Sequence, residues 1–326
     1  MISILVRRAK HARSLAIGFG LAILASGSAA SPVRADIIYG LTLDNEIFAF
    51  NSDSPGTTTP LVTITGIGSD TIVGIDWRQS NGVLYGVGVG TDNSARVYSI
   101  NSATGAVTST TNLFADSADA SPFTSVVGNN FGVDFNPQVV VNGVLGDRLR
   151  VISDTGQSLR INLATGATFT DTPLSDGGAI APSVTGIAYA NNDNNIATPT
   201  TLYGIDSDDN TLVTVGSLNS VISPNTGQVF TVGSLGFDVS SFAGFDISDS
   251  GTSFAALSRT GGANAGLYTI NLSTGSATLL GQIDGSVVLR GITARAVPEP
   301  GSLAMLGIGG AGWIRFMRRR RNMTPA

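Results

Sequence analysis

Gly74-Ile75-Asp76-Trp77 returns along the chain as Gly132-Val133-Asp134-Phe135, Gly186-Ile187-Ala188-Tyr189, Gly244-Phe245-Asp246-Ile247 and Gly291-Ile292-Thr293-Ala294. The steps between copies are 58, 54, 58 and 47 residues. Such a period marks a repeat in which each copy is one supersecondary unit. Working outward, the first four copies each lead through a polar turn into a second apolar stretch: Leu84-Tyr85-Gly86-Val87, Leu149-Arg150-Val151, Leu202-Tyr203-Gly204-Ile205 and Phe254-Ala255-Ala256-Leu257. Ile38-Tyr39-Gly40-Leu41 is the equivalent stretch near the start. A third stretch ends in a Thr-Gly turn: Tyr98-Ser99-Ile100-Asn101 before Thr104-Gly105, Leu159-Arg160-Ile161-Asn162 before Thr165-Gly166, and Tyr268-Thr269-Ile270-Asn271 before Thr274-Gly275. A Thr-rich fourth stretch follows each.

Four short strands per repeat, joined by Gly, Asn and Asp turns, predict an all-β, propeller-like ring of about five four-stranded blades. A blade cannot bury both of its faces alone, and stacking in a ring buries them. Residues 37–65 supply second, third and fourth strands without a first. Leu289–Ala294 supplies a first strand without followers. The two ends are therefore expected to complete one blade and close the ring. Divergence around 191–200 and 218–224 leaves six blades, or an open sandwich, as alternatives.

Composition agrees. Glu occurs only at positions 46 and 299, the sole Lys is Lys10, and Gly reaches 41. Helix formers are scarce and residues suited to pleated surfaces are plentiful. Between 36 and 297 the chain has 22 acidic residues and 8 Arg, a net charge of −14. So acidic a domain repels phosphate backbones, which excludes nucleic acid as a partner. There is no Cys, and the only His is His11. Ser-His-Asp and Cys-His nucleophiles, Schiff-base lysines and ordinary zinc or copper sites are thereby excluded from the domain.

Both ends carry export features. Arg7, Arg8, Lys10, His11 and Arg13 precede an apolar run, Leu15–Ala25, and Val33-Arg34-Ala35 places small residues at a cleavage site. Residues 1–35 therefore read as a secretory signal cleaved after Ala35, with Ser28-Ala29-Ala30 as a second candidate site. Residues 36–296 form the repeated domain. From 297 to 326 come Pro298-Glu299-Pro300, the apolar stretch Ser302–Ile314, and Arg318, Arg319, Arg320 and Arg321. The prolines break preceding structure, the apolar stretch enters a membrane transiently, and the arginines stay cytoplasmic. Arg315 shortens the apolar stretch and makes it a poor permanent anchor. This tail resembles the PEP-CTERM sorting signal of exopolysaccharide-producing bacteria. The resemblance implies an exosortase and export machinery as partners, an inner-membrane intermediate, and delivery to the outer surface or extracellular matrix.

The most distinctive stretch is Gly132-Val133-Asp134-Phe135-Asn136-Pro137, followed by Asp147-Arg148-Leu149-Arg150-Val151 and by Ser153–Asn162. It resembles a bacterial family of exported proteins of unknown function, many with the same tail. That resemblance implies a repeated β fold and brings no activity or functional residues with it. Arg150 stands where other repeats have Tyr85 and Tyr203, and Arg160 stands where they have Ser99 and Thr269. Arg148, Arg150 and Arg160, beside Asp134, Asp147 and Asp154, form a candidate pocket for an anionic or sugar ligand, guanidinium being a planar multiple donor. A plain ion-pair network between strands is the alternative.

Asp76, Asp134 and Asp246 share one repeat position and are candidate ligands for a cation such as calcium, which prefers oxygen ligands; otherwise no cofactor is expected. Alternatively, each caps the turn that follows it. Asp206–Asn210 lacks the Gly and Glu of a calcium loop and reads as a hairpin turn. Tyr85, Tyr98, Tyr203 and Tyr268 recur at repeat positions and are expected to pack between blades. Together these features predict a non-enzymatic surface or matrix protein that displays loops to an exopolysaccharide or a surface protein. The alternative is a calcium-dependent hydrolase, lactonase-like or glycan-cleaving, that works with aspartates alone.

Overall fold

Each copy of the Gly-apolar signature forms an inner strand, and its residues are apolar on both sides because neighbouring blades cover both faces. The computed structural model describes residues 35–295, apart from 142–143, 146–147, 193–194, 263 and 286. Ala35 stands at the edge of the described region. The preceding residues, where the sequence reads as a signal, Asp147, and the tail with Pro298, Glu299, Pro300 and Arg318–Arg321 lie outside it.

The first blade begins with β1 (Ile37–Thr42), β2 (Glu46–Asn51) and β3 (Val62–Thr63). The second is β4 (Thr71–Arg78), β5 (Val83–Val89), β6 (Ala95–Ile100) and β7 (Val107–Asn112), paired in that order. The third is irregular. A short β8 (Phe114–Ala115) precedes the inner strand β9 (Phe131–Phe135), and a small hairpin, β10 (Val140–Val141) with β11 (Val144–Leu145), is inserted before β12 (Arg148–Ser153), β13 (Ser158–Asn162) and β14 (Ala167–Thr170). β8 adds to the outer edge of this sheet in parallel with β14. The fourth blade is β15 (Val184–Tyr189), β16 (Leu202–Asp206), β17 (Thr211–Val215) and β18 (Val229–Ser234). The fifth is β19 (Val239–Ile247), β20 (Ser253–Arg259), β21 (Ala265–Ile270) and β22 (Ala277–Gln282). The last strand, β23 (Leu289–Arg295), returns to the first blade and pairs antiparallel with β1, from Ile37 opposite Arg295 to Thr42 opposite Leu289. The chain is thus a five-bladed propeller closed by its two ends. The divergent stretches are insertions within blades and do not form a sixth. The only helical elements among the described residues are the 3-10 turns Leu218–Ser220 and Pro224–Thr226. No helix among them is long and apolar enough to cross a membrane.

The core is divided among the blade junctions. Leu41 and Ile47 of the first blade pack with Ile72, Ile75 and Leu84 of the second. Val73, Val87 and Val97 meet Phe131, Val133 and Leu149 across the next junction. Three further clusters fill the junctions of the third with the fourth, the fourth with the fifth, and the fifth with the first. Tyr85 lies edge-on to Phe135 at 5.4 Å, and Tyr39 stacks on Trp77 at 5.2 Å. Both contacts cross junctions.

Glycine permits the close approach of inner strands. A Cβ on Gly132 would lie 2.6 Å from the Ile187 nitrogen, and one on Gly244 would lie 2.6 Å from the Ile292 nitrogen. The Thr-Gly turns do a second job. Gly105, at φ 72°, presses against the Thr63 carbonyl of the neighbouring blade, and the Thr65 amide donates to the Gly105 carbonyl at 3.0 Å. Gly166 meets β7 in the same way. These turns therefore link the second, third and fifth blades each to the outer edge of the one before it.

Candidate functional site

The residue after the signature's second position occupies the ring axis. In chain order these residues are Asp76, Asp134, Ala188, Asp246 and Thr293. All three aspartates are buried, and one oxygen of each lies within 4.8 Å of the others. Sequence equivalence thus translates into spatial convergence. The carboxylates do not cap the turns that follow. They bond mainly across blade boundaries: Asp76 Oδ2 accepts the Phe135 amide at 2.7 Å, Asp134 Oδ2 accepts that of Tyr189, and Asp246 Oδ2 accepts that of Ala294 at 2.5 Å. Thr293 Oγ1 accepts the Trp77 amide at 3.0 Å and donates to Asp76 Oδ1. The Trp77 and Ile247 amides also donate to the adjacent carboxylates of Asp76 and Asp246, each at 2.6 Å, but Ala188 has no acceptor to offer the Ile247 amide across the boundary. A belt of side chain-to-amide bonds therefore runs around the axis with one break, at the fourth blade.

Burial raises the pKa of all three aspartates. The charge of Asp76 pushes Asp134 and Asp246 further up, so both stand well above the ordinary carboxylate range. In Asp76 the rise from burial is opposed by hydrogen bonds, first from Asp134 and then from the Phe135 amide.

A second assembly lies between the third and fourth blades. The β12 residue opposite the axial residue is Arg150, which pairs in register with Asp134. The matching positions elsewhere are Tyr39, Tyr85, Tyr203 and Phe254. Arg150 is 2% exposed. Its Nε donates to Tyr189 Oη at 2.9 Å, Nη1 to Ser158 Oγ at 2.8 Å and Asp171 Oδ2 at 2.9 Å, and Nη2 to Asn225 Oδ1 at 2.5 Å. Arg160, directly opposite on β13, donates through Nε to both oxygens of Asp171 and stacks on Phe169 at 5.0 Å.

Arg148, Arg150, Arg160, Tyr189, Thr200 and Asn225 are among the residues that line a cavity of about 240 Å³. Asp134 is not in its wall. It sits one layer deeper, reached through Tyr189, which bonds Asp134 by its amide and Arg150 by its hydroxyl. Asp154 points elsewhere and accepts the amides of Asn129 and Asn130. The arginines' carboxylate is Asp171, which the sequence did not single out because it follows the fourth strand and repeats nowhere. Asn225 and Thr200 come from the two divergent stretches or their immediate neighbours, and that departure from the repeat was the signal that could have found them.

Asp206–Asn210 is a hairpin turn between β16 and β17, and Asp206 Oδ1 accepts the amides of Asp208 and Asp209. Among the recurring tyrosines, Tyr98 donates to Asp70 Oδ2 at 2.7 Å, and Tyr268 lies 5.0 Å from the ring of Phe237.

Comparison with solved structures finds matches of low identity. A protein from Lactobacillus plantarum is 17% identical with a TM-score of 0.39, covering 79% of this chain and 71% of its own. A Bacteroides thetaiotaomicron protein of unknown function is 12% identical with a TM-score of 0.44, over 78% and 60% of the two chains. The Malassezia sympodialis allergen Mala s 1 is 13% identical with a TM-score of 0.41, over 77% and 76%. No curated protein matches the sequence. Residues 296–321 match the PEP-CTERM protein-sorting motif, which implies processing by an exosortase and export through the membrane to the cell surface or extracellular matrix. Residues 46–293, nearly the whole ring from β2 to the axial threonine of β23, match one family description, and the chain accordingly belongs to the domain of unknown function DUF4394.

Proposed function

We propose that this exported propeller is a non-enzymatic surface or matrix protein that binds an anionic sugar, such as a uronate unit of an extracellular polysaccharide, in the cavity between its third and fourth blades. The support is convergence: the features that break the repeat meet at one place. The arginines of β12 and β13, the segment after β9 with Asn136 and Gln138, and the insertions that bring Thr200 and Asn225 all border this cavity. Repetition serves packing, so the residues exempt from it are the ones free to serve a ligand. Among the described residues Arg150 and Arg160 share the carboxylate of Asp171, and Arg148 stands with them in the wall. Guanidinium groups recognise carboxylates with directed, charge-assisted bonds, and the amides and hydroxyls of the wall suit sugar hydroxyls. Asp171 is tied to two guanidiniums. It is therefore poorly placed to act as half of an acid–base pair, which favours binding over hydrolysis.

The test is calorimetric titration of the full-length chain, purified in mild detergent, with oligouronates and with neutral oligosaccharides of the same length. Binding of the acidic series alone is expected, with affinity falling at least tenfold in Arg160→Gln. Equal binding of both series, or none, would reject the proposal. Release of reducing ends during incubation would point instead to the hydrolase.

A further inference from the structure

The axial carboxylates present a charge problem distinct from the sugar cavity. Asp76, Asp134 and Asp246 are 3%, 1% and 4% exposed. Apart from the contact between the Asp76 and Asp134 carboxyls, their hydrogen-bond partners among the described residues are five backbone amides and the Thr293 hydroxyl, each at most a partial positive charge. Left as three anions, the aspartates would cost several kcal/mol each, so they stay buried either protonated or with a cation among them. One oxygen stands apart from the belt: Asp134 Oδ1 accepts no hydrogen bond, although its carboxyl lies against that of Asp76. An orphaned acceptor at the meeting point of three acids is where a cation belongs.

We infer that Asp76, Asp134 and Asp246 form a calcium site buried on the axis of the ring. The donors are all oxygen, which suits a hard cation and excludes the soft metals. One oxygen from each aspartate falls within 4.8 Å of the others. That is the reach of two calcium–oxygen bonds of about 2.3–2.6 Å across one ion. Magnesium bonds at about 2.0–2.1 Å and retains several waters. The amides that each aspartate accepts hold its carboxylate in place, so the site is oriented before an ion arrives. Because the three ligands come from the second, third and fifth blades, one ion fastens three blades at their narrowest point.

The test uses the full-length chain in mild detergent. After dialysis against calcium, elemental analysis is expected to find one ion per chain, and chelation is expected to lower the unfolding midpoint by about 5–10 °C. Asp134→Asn and Asp246→Asn should each lose the ion. If either variant fails to fold, terbium decides in its place. Trp77 adjoins Asp76, so indole-excited terbium luminescence should appear, be displaced by calcium, and vanish in Trp77→Phe while that variant still retains one calcium. A chain that takes up no calcium and ignores chelator overturns the inference. So does an ion that survives both Asp substitutions, or terbium luminescence that calcium does not displace.

Discussion

Arg150 shows what one residue can reveal. Aromatic side chains hold its position in the other four blades, so an arginine there is legible as a departure from the amino-acid sequence alone. Its partners are not legible. Tyr189 lies 39 residues away, Asn225 lies 75 away, and Asp171 follows a strand of ordinary sequence. Long-range pairing of this kind leaves no trace in one sequence. Arg150→Met removes a buried cation and leaves Tyr189, Ser158 and Asn225 without their donor, while Asp171 keeps Arg160. Urea unfolding should show a loss of about 3 kcal/mol, the scale for breaking a buried pair from one side. Tyr98 supplies a prediction in pH. Burial, and then its bond to Asp70, push the Tyr98 hydroxyl up to about 12. The folded pKa is above the unfolded value of about 10, so the contribution of Tyr98 is complete below pH 10 and is lost as pH rises towards 12. Unfolding free energies measured from pH 8 to 11.5 should therefore fall above pH 10. Tyr98→Phe should flatten that fall by about one proton's worth while lowering the neutral plateau by about 1 kcal/mol through loss of the Asp70 bond.

At the scale of the strand, periodicity served well. The inner strands, their followers and the Thr-rich outer strands all form where the repeat placed them, because both strand faces are buried and the apolar runs are long enough to be seen. The short pieces β8, β10 and β11 escaped, since two residues carry no periodicity. The Thr-Gly turns were legible as turns, but their contact with the preceding blade was not. Nor did the sequence show that the axial aspartates bridge blades, since a turn cap and a cross-blade acceptor require the same residue type. The inner glycines allow an internal comparison. Gly132→Ala would place a Cβ 2.6 Å from the Ile187 nitrogen, where backbone must move, whereas the Cβ of Gly291→Ala would be 3.8 Å from the Gly74 Cα, an ordinary contact. The first should cost about 2–3 kcal/mol in denaturant unfolding. The second should stay within about 0.5 kcal/mol. Equal costs at the two positions would mean that the glycines answer to strand propensity rather than to the approach of neighbouring blades.

At the scale of the whole chain, the two ends of the described region meet. Ile37 pairs with Arg295, so the chain enters the described region and leaves it, before the sorting tail, on adjacent strands of one blade. Folding therefore cannot finish until the last strand is made, and the ring gains its closing junction in one step. Circular rearrangement separates closure from mere strand content. Deleting residues 37–65 removes β1–β3, leaves β23 without its sheet, and uncovers apolar side chains such as Phe254, Leu267 and Ile72 on the two neighbouring blades. An unpaired edge beside uncovered apolar surface favours association, so this chain should aggregate. A permutant that begins at Thr71 and joins Arg295 to Ile37 through a short flexible linker retains every blade. It moves the termini to the gap before β4, where the chain passes between blades rather than within one. The permutant should be soluble and monomeric by light scattering and should show the same β-sheet circular dichroism as the parent. Its midpoint should be lower, because the junction before β4 has lost the covalent connection that joins the first blade to the second. A soluble, cooperatively unfolding deletion would mean that four blades suffice and that the pairing of β1 with β23 is not what holds the ring shut.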